Sequence, residues 1–157
     1  MSHSCFPRLL NSPDETLVFA QTIAKTLCAG DTLLLQGDIG GGKSFFARAL
    51  IQSLQDVPED VPSPTFTLVQ TYDTRAGEIW HADLYRLSAP SEADELGLTE
   101  AFAAAICLIE WPDRLGALAP EGAQTLTFET TELDDQRRVS LSGEKGELQT
   151  RILKVFE

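Results

Sequence analysis

A chain of 157 residues is the length of one domain, with enough material to bury about 70% of its unfolded surface. It carries 24 acidic against 12 basic residues, a formal net charge of −12, which argues against direct tight binding to nucleic acid and for a basic protein surface as partner. No apolar run approaches the roughly 20 residues that cross a bilayer, and residues 1–10 lack the apolar stretch of a secretory signal, so a cytoplasmic protein without membrane association is expected.

Ser12-Pro13-Asp14-Glu15 reads as a helix start, with Ser12 as cap, Pro13 at the first helical position and Glu15 completing a capping box. Leu17, Ala20, Ile23, Ala24 and Leu27 then mark one apolar face, and Gly30 is the expected C-cap. Next comes Gly37-Asp38-Ile39-Gly40-Gly41-Gly42-Lys43-Ser44, a glycine, four residues, then Gly-Lys-Ser. An apolar run, Thr32 to Leu35, leads into it. A helical pattern, Phe45 to Leu54, follows, with Phe46, Ala49, Leu50 and Leu54 as its packing face. Strand, glycine loop and helix are the context this phosphate-binding pattern requires. Glycines let backbone N–H groups curl around phosphate oxygens, and the helix N-terminus adds a positive dipole end. The candidate nucleotide cradle is therefore Asp38, Ile39, Gly40, Gly41, Gly42, Lys43, Ser44 and Phe45. Lys43 is to reach the terminal phosphates and the Ser44 hydroxyl is to hold Mg²⁺.

Residues 56–64 hold three prolines among acidic residues and read as a connector. Phe66 to Tyr72 and Glu78 to Leu84 are strand-like and form an expected antiparallel hairpin. Ser91 to Phe102 is helical in pattern but interrupted by Gly97, which leaves one long helix or two short ones. Ala105 to Ile109 is continuously apolar and suits a strand buried on both faces of a parallel sheet. Asp113 to Leu118 is a short helical segment, Thr125–Thr130 and Arg137–Leu141 are a closing strand pair, and Glu147 to Phe156 is a terminal helix. The fold class expected is α/β: a single phosphate-loop NTPase-like domain over residues 1–157, with a mixed, mostly parallel sheet, an antiparallel hairpin and flanking helices. Cys5, Cys28 and Cys107 are odd in number and widely spaced, so neither a disulfide framework nor a zinc site is expected, and Cys28 and Cys107 are expected to be buried.

A nucleotide site of this type needs an acidic residue at the end of a buried strand to complete the Mg²⁺ shell. Glu110, after the most apolar strand, and Asp83, near the end of the second hairpin strand, both qualify. Each would repel a triphosphate by about 4 kcal/mol at 4 Å and an effective dielectric near 20, which favours a cation between them. Thr65 and Thr67 follow the connector, either as ordinary strand threonines or as a loop that senses the γ-phosphate. His81, with no second histidine near it, reads as a hydrogen-bonding residue rather than a metal ligand, while Trp111 either stacks near the nucleotide or covers the sheet. Arg137-Arg138 is either a solvated strand end or a contact for phosphate, base or partner.

Four stretches together resemble one family. Gly37 to Ser44, Ser63-Pro64-Thr65-Phe66-Thr67-Leu68-Val69, His81-Ala82-Asp83-Leu84-Tyr85-Arg86-Leu87 and Ile109-Glu110-Trp111-Pro112 look like the signature of the TsaE (YjeE) ATPases, in that family's order. The resemblance runs from the Ser12 helix to Arg138. It implies binding and slow hydrolysis of ATP with Mg²⁺, in support of the TsaB–TsaD heterodimer that makes N6-threonylcarbamoyladenosine in tRNA. By position, Lys43 matches the phosphate-binding lysine, and Ser44 the metal-binding hydroxyl that many members supply as threonine. Glu110 matches the metal-linked glutamate, Asp83 the essential aspartate, and Thr65 the switch-like loop. Thr16 and Arg138 fall where members approach the nucleoside. The acidic charge then fits a subunit of a tRNA pathway that need not bind tRNA strongly itself. The functions left standing are this ATPase, a small kinase that passes phosphate to a metabolite, and a nucleotide-gated protein-binding module. The scattered arginines disfavour the kinase.

Overall fold

The computed structural model describes residues 3–38, 42–64 and 67–156, with the side chains of residues 3–6 left aside. Seven strands form one sheet in the order β1-β7-β6-β2-β5-β4-β3. These are β1 (His3–Leu10), β2 (Thr32–Gly37), β3 (Val69–Thr74), β4 (Gly77–Asp83), β5 (Ile106–Glu110), β6 (Gln124–Thr130) and β7 (Arg137–Gly143). The centre is parallel, with β2 between β5 and β6 and with β4 beside β5. Both edges are antiparallel: the β3–β4 hairpin on one side and β6–β7–β1 on the other. The expected α/β class with a mixed sheet is thus the observed one.

Helices cover both faces. One layer holds α1 (Pro13–Ala24), α2 (Lys43–Leu54) and α5 (Glu147–Val155). Its core joins Phe19, Phe46 and Ile152 to Leu33, Leu35, Leu108, Phe128 and Val139 from the sheet. The other layer holds α3 (Pro90–Glu95), α4 (Leu98–Ala104) and a 3₁₀ segment over Pro112–Leu118, packed on Ala82, Cys107 and Ile109. Every residue of β5 is buried, because helices cover it on both sides. Successive strand residues point to opposite faces. Ile79, Ile106 and Leu108 therefore lie in the α2 layer, while Ala82, Cys107 and Ile109 lie in the α4 layer.

Local chemistry explains most boundaries. Ser12 accepts from the N–H of Glu15, and the Glu15 carboxylate reaches back to the N–H of Asn11. Gly97, at φ +88°, splits the Ser91–Phe102 pattern into α3 and α4, a backbone conformation that favours glycine. The hairpin closes tightly, with Thr74 paired to Gly77.

Three expectations are corrected. The buried face of α1 is Thr16, Phe19, Ala20, Ile23 and Ala24, whereas Leu17 is 36% exposed. The helix stops at Ala24, so Gly30 does not cap it and sits instead in the turn closed by the Asp31 N–H on the Cys28 carbonyl. That early stop leaves Cys28 exposed, while Cys107 is buried as expected. The strand β1 adds to the reading: it pairs with β7 despite Pro7, with a register shift between Cys5 and Arg8. A proline is tolerated there because β1 is an edge strand. Among the described residues no helix is long and apolar enough to cross a membrane.

Candidate nucleotide site

Strand parity assembles the site. His81 and Asp83 share the face of Ile79, and Glu110 shares that of Leu108, so all three turn toward the α2 layer. In register, Asp83 stands directly beside Glu110. The N-terminus of α2 lies over them. Gly42, at φ +104°, precedes the helix, and its first turn carries neither an acidic residue nor a side-chain cap. Its orphan N–H groups and positive dipole end are left for an outside anion.

The Ser44 hydroxyl donates to Glu110, at 3.0 Å from Oε1 and 3.3 Å from Oε2. His81 Nε2 lies 2.7 Å from Glu110 Oε2. All of this is nearly dry: His81 is 1% exposed, Glu110 2% and Asp83 6%. Asp83 Oδ1 accepts the N–H of Tyr85 at 3.0 Å. Lys43 Nζ donates to the Gly37 carbonyl at 2.6 Å and stands 3.8 Å from the centre of the Trp111 ring. Burial pushes the Lys43 ammonium below its ordinary range, opposed by the charges of Glu110 and Asp83. Trp111 adopts a left-handed backbone, φ 59° and ψ 55°, which costs a non-glycine residue about 1–3 kcal/mol. That turn ends β5 and brings the indole over Lys43 and against Tyr85, the ring centres of the two aromatics 4.9 Å apart.

Apart from His81 and Gly37, these groups line a cavity of about 610 Å³ with Pro13 and Thr16 from α1, Phe45 from α2, and Ser63, Asp135 and Arg137. Its size is in the range of small-molecule sites. Of the residues singled out from sequence, Thr16, Gly42, Lys43, Ser44, Phe45, Asp83 and Glu110 meet here. Asp38 lines a neighbouring cavity of about 510 Å³, and Trp111 is common to both. Ile39, Gly40, Gly41 and Thr65 lie outside the described residues. Arg138 is exposed and outside the lining, whereas Arg137 is within it and donates to the carbonyls of Asp134 and Gln136. Pro13, Ser63, Tyr85 and Asp135 line it without having been named as site residues. Ser63 and Tyr85 carried a signal, as members of the motif stretches around Thr65 and Asp83.

The family model described as "Threonylcarbamoyl adenosine biosynthesis protein TsaE" matches residues 10–139. The "tRNA threonylcarbamoyladenosine biosynthesis protein TsaE" of Rickettsia bellii is 42% identical over 131 residues, which cover 83% of this chain and 90% of that protein. The proteins so described from Haemophilus influenzae and Bacillus subtilis are 34% and 31% identical, covering 92% and 83% of this chain and 94% and 81% of their own lengths. The crystal structure of Bacillus subtilis YdiB superposes with a TM-score of 0.80 at 24% identity, over 99% of this chain and 96% of that one, and so has the same fold. With a family match spanning most of its length, a group of curated relatives above 30% identity and the motif residues Lys43, Ser44, Asp83 and Glu110 gathered around one cavity, the chain belongs to the TsaE family.

Proposed function

We propose that this chain is a Mg²⁺-dependent ATPase that supports turnover of the TsaB–TsaD complex in N6-threonylcarbamoyladenosine modification of tRNA. The observation that carries the reading is the Ser44 hydroxyl seated on the buried Glu110 carboxylate under the uncapped N-terminus of α2. These are hard oxygen donors, beside a helix end whose own first turn carries no acidic residue. Mg²⁺ binds through few protein oxygens plus substrate phosphates, so Ser44 and Glu110 fit it as a donor set. The ion would neutralise charge on the phosphate oxygens.

The residues divide the work. The α2 N-terminus and Lys43 bind phosphate, and Lys43 does so by exchanging the Gly37 carbonyl for a phosphoryl oxygen. Asp83, pinned by the Tyr85 N–H, orients the attacking water and accepts its proton. Thr16, Phe45 and Arg137 form the wall available to the nucleoside. Thr65 is the candidate γ-phosphate sensor. The cytoplasm, where ATP and tRNA meet, is the compartment for this role, and an acidic chain suits a subunit that acts on its partner proteins rather than holding tRNA directly.

The test is reconstitution with TsaB and TsaD, following tRNA modification over several turnovers. Added protein is expected to sustain multiple rounds, and Lys43→Ala or Glu110→Ala to abolish both phosphate release and that support. No effect of the wild-type protein refutes the assignment. Phosphate transfer that requires an added hydroxyl acceptor would replace it with a kinase, and full support by a variant that binds but cannot hydrolyse ATP would replace it with a gating module.

A further inference from the structure

His81 has no task in the reaction as described, yet it is the most deeply buried polar group beside it. It comes from β4, in register with Leu108 of β5, and its ring reaches Glu110, two residues further along that strand. A carboxylate oxygen accepts, so in this pair Nε2 carries the proton. Nδ1 is buried and has no hydrogen-bond partner among the described residues. A bare lone pair there is cheaper than an N–H left without an acceptor, so the geometry selects the Nε2–H tautomer. Glu110 is thus gripped at Oε2 by His81, while its Oε1 is left with the Ser44 hydroxyl.

We propose that His81 is a positioning residue for the cation: its Nε2–H fixes the Glu110 carboxylate so that Oε1 and the Ser44 hydroxyl present a ready-made pair of oxygens to Mg²⁺. The inference rests on the Mg²⁺–ATP reading of the site. Two properties separate it from simple core packing. The contact is a directed hydrogen bond from one ring nitrogen, and it ends on the candidate metal-holding group rather than on backbone. Outer partners that hold metal ligands usually matter about 10–100-fold in metal affinity.

The test measures binding of the fluorescent analogue MANT-ATP to wild type, His81→Phe and His81→Gln, in EDTA and across a Mg²⁺ titration. Phenylalanine keeps the bulk without the donor. Glutamine places an amide N–H close to where Nε2 stands. The expected result is a Mg²⁺ midpoint raised about 10–100-fold in His81→Phe, an affinity in EDTA unchanged within about twofold, and substantial recovery in His81→Gln. A folded His81→Phe protein with the wild-type Mg²⁺ midpoint overturns the proposal, as does a glutamine variant no better than phenylalanine. Should neither variant fold, ¹⁵N imidazole spectra of the wild type decide: the Nε2–H pattern supports the assignment, and an Nδ1–H pattern overturns it. Wild-type binding that ignores Mg²⁺ altogether is a different failure, since it removes the Mg²⁺–ATP reading itself.

Discussion

Gly37 opens the glycine-rich stretch before α2, and Gly37→Ala tests why a glycine stands there. Its φ is +143°, outside the range comfortable for an L side chain, and an added Cβ would lie 2.3 Å from the Phe128 carbonyl oxygen of the adjoining strand β6. That oxygen belongs to backbone in the middle of the sheet, so it cannot swing aside as a side-chain tip would. Overpacking costs about 1–3 kcal/mol, and the unfavourable backbone conformation costs a further 1–3 kcal/mol or so. The damage does not stop at stability, because the Gly37 carbonyl is the group that holds Lys43 Nζ at 2.6 Å. Displacing it shifts the lysine and the start of α2. Chemical denaturation of Gly37→Ala is expected to show a loss of about 2–6 kcal/mol, with a melting point lower by at least roughly 5 °C. MANT-ATP affinity, measured well below the melting point, is expected to fall about tenfold or more, a loss of about 1.4 kcal/mol. An alanine variant with wild-type stability would refute the steric account, and wild-type nucleotide affinity in a destabilised variant would refute the coupling between sheet packing and Lys43.

Three further outcomes follow from individual contacts. Asp83→Asn is expected to retain ATP binding within a few-fold while hydrolysis falls about 10²–10⁴-fold, checked by isothermal titration and phosphate release, because the amide keeps the shape but is no base. Arg151 Nη1 and Nη2 form a paired contact with Asp31 at 2.8 and 2.9 Å, so Arg151→Ala is expected to lower stability by about 1–3 kcal/mol in urea unfolding while leaving nucleotide affinity unchanged. Burial pushes the Cys107 thiol up to about 12 from an ordinary 9.0, so in native protein at pH 8 a thiol reagent is expected to mark the exposed Cys28 and spare Cys107, as read by peptide mass spectrometry. For Cys107 the folded state holds its proton longer than the unfolded chain does, so its contribution to stability is complete below pH 9.0 and is lost as the pH rises toward about 12.

The parts of the fold that are local in sequence were legible. The strand β2 and helix α2 on either side of the glycine-rich stretch, the β3–β4 hairpin, the apolar run of β5 and the β6–β7 pair all announce themselves by period, turn residues or continuous apolar character. What sequence concealed depends on distant partners. The strand β1 contains a proline and no clean alternation, and it is a strand because β7, more than a hundred residues later, offers it an edge. The buried face of α1 includes Thr16, a polar residue whose hydroxyl bonds back to the Ser12 carbonyl, and that shifted the expected face toward Leu17. Arg137 and Arg138 look equivalent as a doublet. Only the parity of β7 against the cavity separates the lining residue from its exposed neighbour. His81 was legible as a hydrogen-bonding residue, but its partner was not, because Glu110 is 29 residues away.

The site is in this sense a property of register more than of motif. Asp83 and Glu110 are neighbours on parallel strands, about 4.8 Å apart along the sheet, where two carboxylates repel. The sheet tolerates them because each is already held: Glu110 by Ser44 and His81, Asp83 by the Tyr85 N–H. A slip of one residue between β4 and β5 would turn His81 and Asp83 into the α4 layer and leave Glu110 in the α2 layer without its histidine. The continuous burial of Ile106 to Glu110 and of His81 to Asp83 makes such a slip expensive, since it would exchange apolar and charged residues between two dry layers. The apolar residues Ile79, Ile106 and Leu108, which never touch the cavity, are therefore what keep two carboxylates and a histidine aimed at the start of α2.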